Sequence, residues 1–261
     1  MEIHKPKPMH SVREFLTEIG TIICGILIAL GLEQGLEWAH WRHQVELADK
    51  AVSEEVRYNL VDEYERIALR FCLSSRVAEL RDRLLQPSGA WKAMPLDVSG
   101  PVTTGDTLAS LAEHTKSYAI PRVYRAPVRP FLNGAWTAAV TSGVPLHMQP
   151  ERAAFFDHVY RQLEQGFATQ VLEREAATKL APLAFDRNLN DAERTQYLSV
   201  LGELDQINAF RALVAAQLIV GADEGGLRIK ASQAAERIKS FRTFPGRAAC
   251  VDAFKIPLAP G

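Results

Sequence analysis

The chain has 261 residues with Lys+Arg 30 against Asp+Glu 31, a formal net charge of −1, so no basic excess points to a nucleic-acid partner. Apolar residues make up 47% and charged residues 23%, values that let the chain bury one domain-sized core. Its cysteines, Cys24, Cys72 and Cys250, are too few for a disulfide scaffold or a structural zinc site.

Residues 1–13 form a basic arm with Pro6, Pro8 and no periodicity. Ser11, with Glu14 three residues on, has the spacing of a capping box and predicts a helix start. Residues 14–39 read as a transmembrane anchor. The uncharged run from Ile19 to Leu32 is shorter than the about 20 residues a spanning helix needs, and Phe15, Leu16, Leu36 and Trp38 complete it. Glu18, Glu33 and Glu37 then fall near the headgroups, where a charge costs less than at the bilayer centre, and Trp38 and Trp41 mark an aromatic belt. A cleaved signal peptide, with Ala29-Leu30-Gly31 as its small-x-small site, and a buried soluble helix are the alternatives. Thr21, Gly25 and Ala29 repeat every four residues, and Gly31 and Gly35 make a second small pair. Such faces let two membrane helices approach closely, so these five residues are candidates for helix association.

Residues 40–86 continue without a helix breaker as an amphipathic stalk. Val45, Val52, Val56, Leu60, Tyr64, Ile67, Phe71, Val77, Leu80 and Leu84 supply its apolar face. Residues 87–130 are a Pro/Gly-rich loop with a short helix at 105–117, and Pro121, Pro127 and Pro130 forbid regular helix at its end. Residues 131–242 carry helices at 131–142, 150–181, 190–220 and 227–242, and residues 243–261 are an irregular tail. No stretch alternates at period two, so no sheet is expected. The expected fold is all-α: a transmembrane helix continuous with the stalk, then an antiparallel helical bundle of the stalk and the later helices.

Motifs for chemistry are sparse. Gly100 to Thr107 has P-loop spacing, but Asp106 stands where the phosphate-binding lysine belongs. Glu37 and His40 have the Glu-x-x-His spacing of metal ligands on one helix face, with His43 a turn further on; a second such motif is missing, so they are weak metal candidates. His114, His147 and His158 are scattered, and no nucleophile motif is present. Trp136 and Tyr160 read as core aromatics or as the lining of a ligand pocket. Cys72 and Cys250 can pair if their domain meets an oxidising compartment; two buried free thiols are the alternative.

The stretch EFLTEIGTIICGILIALGLEQGLEWAHWRHQVELADKAVSEEVRYN resembles the N-terminal part of a family of uncharacterised bacterial single-pass membrane proteins, with the pattern F-L-x-E-x-G-T-x-x-x-G-x-L-I-A-L. The later AWTAAVTSGVPLHMQPERAAFFDHVYRQL resembles their second recognisable stretch. The resemblance covers under a third of the chain and implies a bacterial inner-membrane location and no assigned activity. Lys5, Lys7 and Arg13 before the span are matched by Arg42, Lys50 and Arg57 after it. A short arm is more easily retained than translocated, so a cytoplasmic N-terminus and a periplasmic domain are expected. The function expected is association with a second copy or another membrane protein, without catalysis or a cofactor, the lipid bilayer being the other partner. An extracytoplasmic ligand-binding or sensory bundle and a membrane-tethered hydrolase or metal enzyme are the alternatives.

Overall fold

The structure, a computed structural model, describes residues 12–86, 90–96, 121–242, 256, 258 and 259. Helix α1, Val12–Leu84, runs 73 residues with no proline to break it, and Arg81 and Arg83 in its last turn suit the negative end of the helix dipole. At about 1.5 Å per residue it is about 110 Å long. Residues 12, 13 and 15–40 stand exposed except for half-buried Gly20, and burial begins at Trp41. The exposed part contains an eighteen-residue window apolar enough to cross a membrane, none of it buried against the rest of the chain.

Among the described residues four further helices follow: α2 (Gly134–Thr141), α3 (Pro150–Thr178), α4 (Asp191–Glu224) and α5 (Ala231–Arg242). Pro150 opens α3 at a position where the missing N–H is no loss. A capping box opens α4: Glu193 N–H donates to Asn190 Oδ1 at 2.9 Å, and the Glu193 carboxylate accepts from Asn190 N–H at 3.0 Å. The described residues are therefore mainly helical, as expected. They also include four two-residue strands that period-two reading misses because they are too short to alternate. β1 (Ala90–Trp91) pairs antiparallel with β2 (Arg187–Asn188), and β3 (Ile229–Lys230) pairs parallel with β4 (Leu258–Ala259).

The direction of the helices differs from the expected up-down order. Asp49 meets Arg152 and Arg66 meets Glu173, so α3 runs parallel to α1. Leu84 O accepts from Arg194, Asn208 reaches Arg70 and Ser74, and Arg211 faces Glu63, so α4 runs antiparallel to both. The reason is the return path of the chain before α3. Arg76 donates to Val123 O, Arg129 to Glu65, Asn59 to Leu132 O, and Trp41 stacks on His147 with ring centroids 3.8 Å apart. Residues 121–147 thus descend beside α1, turn at Gly143 (φ 77°) and the 3-10 turn Val144–His147, and start α3 at the level of Trp41.

The descending proline-bearing segment cannot bond to itself, so side chains from the long helices satisfy its backbone. Asn59 both donates to Leu132 O (2.7 Å) and accepts from Leu132 N–H (3.2 Å). Gln170 does the same for Arg129, at 2.9 and 3.0 Å. The Glu55 carboxylate accepts from Ala135 and Trp136 N–H at the start of α2 and from the Tyr160 hydroxyl at 2.5 Å. That is why the helix expected at 131–142 begins only at Gly134: both backbone groups of Leu132 are bonded to Asn59.

Most of the expected stalk face is buried, but Phe71 is 61% exposed. Leu69 and Leu73 take the inward positions at its level. Residues 221–224, expected in a loop, extend α4, which closes at Gly225. There Phe155 occupies the space a side chain would need, so only glycine fits. Residues 1–11 of the arm expected at 1–13, the helix expected at 105–117, the Gly100–Thr107 motif, His114 and most of the tail lie outside the described residues, and Val12 and Arg13 already belong to α1.

Candidate functional site

Among the described residues the apolar core is in two parts. One, nearer the exposed end of α1, gathers Val52, Val56, Leu60, Phe156, Val159, Leu163, Leu218 and Ile219. The other, at the far end, gathers Val77, Leu80, Leu84, Trp91, Leu180, Leu183, Leu201 and Leu204. Between them α1, α3 and α4 contribute charged and amide side chains at one level. Arg66 and Glu173, each with 2% of the side chain exposed, form a two-pronged pair at 2.8 and 2.9 Å. Arg66 also donates to Asn208 Oδ1 at 3.0 Å, and the Tyr124 hydroxyl donates to Glu173 Oε1 at 2.7 Å. Burial, then the adjacent Glu173, push the Tyr124 hydroxyl well above its ordinary range, so it stays a donor.

A second cluster lies against α5. Arg129 and Arg237 both donate to Glu65, at 2.8 Å each, and Arg237 lies 2.7 Å from Asp62 Oδ1. Burial outweighs Arg237 and lifts the Asp62 carboxyl to about 6, and burial likewise raises Glu63. Arg211 approaches Glu63 at 3.6 Å. A Cβ at Gly166 would stand 2.5 Å from Arg211 Nη1, so the glycine makes room for that guanidinium. Glu63 Oε2 and Arg211 Nε and Nη1 are buried without a hydrogen-bond partner. A cavity of about 30 Å³ lies among Asn59, Glu63, Arg66, Gln170 and Arg211, room for about two waters to bridge them and too little for an organic substrate.

These groups form an ionic layer between the two parts of the core. Removing one partner of a buried pair costs about 3–5 kcal/mol because the other is left uncompensated, so a shift of α3 or α4 along α1 is disfavoured. Two of the three helices carry a sign of it. The three- and four-residue apolar steps are interrupted at Gln170 and Glu173 in α3 and at Asn208 and Arg211 in α4, whereas in α1 the Leu60, Tyr64, Ile67 face runs on and Glu63, Glu65 and Arg66 are buried beside it.

The residues singled out in the sequence lie elsewhere. Glu37, His40 and His43 are exposed on α1, and among the described residues no three His, Cys, Asp or Glu side chains gather to hold a metal ion. Thr21, Gly25, Ala29, Gly31 and Gly35 are exposed, and an added Cβ at each of the three glycines meets nothing within 4 Å. Trp136 stacks on Tyr160 with centroids 5.6 Å apart, against Phe156. Cys72 is disulfide-bonded and Cys24 is free; Cys250 lies outside the described residues. No protein-family model, curated protein or solved structure matches the chain.

Proposed function

We propose that the protein is a single-pass membrane protein whose helical bundle works by association, with a second copy or another membrane protein, and without catalysis. The observation that carries this reading is the unbroken helix α1. One continuous element is bare over residues 15–40 and forms a wall of the folded domain from Trp41 onward. The bare part offers the Thr21-Gly25-Ala29 face and the Gly31–Gly35 pair, both open in the structure. Crosslinking of the full chain in lipid bilayers, with and without Gly25→Leu, tests it. Crosslinked dimer that Gly25→Leu reduces supports association through this face, and a monomer in both removes it.

The location proposed is a bacterial inner membrane, with the N-terminus in the cytoplasm and the domain in the periplasm, in keeping with the resemblance of the anchor segment. The disulfide at Cys72 supports it, since disulfides persist in oxidising compartments. An alkaline phosphatase fusion to the C-terminus, active only outside the cytoplasm, checks the orientation.

A ligand-binding domain is the second reading, favoured by a cavity of about 270 Å³ between the Pro121–Val128 segment and α3. Its size approaches that of small-molecule sites, and Val123, Ala126, Ala177 and Ala181 line it with Gln170 and Arg174. A small-molecule thermal-shift screen against the parent and Ala177→Trp, which fills the cavity, separates the readings: a stabilising hit lost in the variant favours the ligand.

A further inference from the structure

We propose that the turn between α2 and α3, residues 143–147, rests in the lipid headgroup layer beside the anchor and forms a second contact of the domain with the membrane. The inference rests on the anchor reading above and adds a docking surface to it. The chain from Pro130 to Pro150 contains no Asp, Glu, Lys or Arg, in a protein where 23% of residues are charged. The structure puts the lowest point of that stretch at the membrane end of the domain. Descending residues pass Glu55 at Ala135 and reach Trp41 at His147, and the chain turns upward again by Arg152, which bonds Asp49. Leu146, at the tip, is 86% exposed, the most exposed large apolar side chain among the described residues, while its neighbour Val144 is buried.

The height fits. Trp41 is three residues beyond Trp38, about 4.5 Å along the helix, and the headgroup layer is about 5–7 Å deep on each side of the hydrocarbon. A turn stacked on Trp41 therefore lies within that layer when the span ends at Trp38. There an exposed leucine on an uncharged turn leaves water for a partly apolar medium, which favours docking. Arg42, whose guanidinium lies 5.3 Å from the centre of the Trp38 ring, is placed to meet lipid phosphates at the same level. The bilayer is the occupant because the tip is held at the exit of the anchor.

The test uses the full chain in nanodiscs of phosphatidylethanolamine and phosphatidylglycerol, in a Cys24→Ser background, spin-labelled without reductant at Leu146→Cys, Leu172→Cys or Ile26→Cys. All three positions are exposed, so the substitutions leave the fold intact. Collision with a water-soluble nickel relaxer is expected to be several-fold lower at position 146 than at 172, with oxygen collision raised. Equal nickel accessibility at 146 and 172, with 26 protected, overturns the docking surface and leaves the anchor standing. Nickel access at 26 overturns the anchor and the docking surface together. Strong coupling between labels at 146 in neighbouring copies also overturns it, by assigning the surface to a second copy.

Discussion

The two halves of α1 share one backbone and opposite surroundings. In residues 12–40 leucine and isoleucine face outward with nothing on them; Leu27 is 63% exposed. In residues 41–84 most of the apolar stripe is covered, Leu60 being 1% exposed, and charged side chains beside it, Glu65 and Arg66 among them, are buried. The first half has apolar surface all round and no partner within the described residues. The second has a polar outer face and a partner on every inward position. Hydrophobicity alone does not distinguish a segment that needs a bilayer from one that needs a core. The distribution of charge around the helix does.

Breaking the ionic layer is expected to have the largest effect. Arg66→Ala leaves Glu173 buried beside Tyr124 without its cation and costs about 3–5 kcal/mol, read as a lower midpoint in urea by the fluorescence of buried Trp91. The double variant Arg66→Met/Glu173→Leu recovers most of that loss, since no charge is then left alone. The same assay compares two leucines of one helix. Leu60→Ala costs about 2–5 kcal/mol, and Leu27→Ala changes the domain by less than about 0.5 kcal/mol. Equal effects would mean that the halves are not energetically separate.

A pH series sharpens the picture within the buried half. Asp62 faces Arg237 from α5, Arg129 from the descending segment, and Glu63 and Glu65 on its own helix. Its folded pKa of about 6 lies above the unfolded value of 3.8, so between those limits the folded chain keeps a proton that the unfolded chain has lost. Its contribution to stability is therefore lost as pH rises through that window and regained on acidification. Asp62→Asn is expected to be more stable than the parent above pH 6 by about 1–2 kcal/mol, with a flatter pH profile. Glu63, shifted the same way, leaves part of the slope in place. A modest effect, about 1 kcal/mol, is expected for Asn190→Ala, which removes one half of the box that starts α4.

Much of the local structure was legible in the residues. The absence of proline from 12 to 84 specifies one helix, Pro150 and Asn190 mark the starts of α3 and α4, and the apolar steps identify Leu60, Leu80, Val159 and Leu204 as core. These are properties of neighbours in sequence, set by propensity, capping and period. The ionic layer was only half legible. Glu173 and Arg211 can be seen to interrupt apolar stripes, but nothing in one helix says which level of its neighbours will stand opposite, and in α1 the Leu60, Tyr64, Ile67 face hides the buried charges beside it. The parallel course of α1 and α3, and the turn that brings His147 down to Trp41, were decided by tertiary structure alone. They depend on side-chain clamps from Asn59, Gln170 and Glu55 to backbone groups at least 41 residues away in sequence. Local pattern records which groups need a partner, and only packing chooses it.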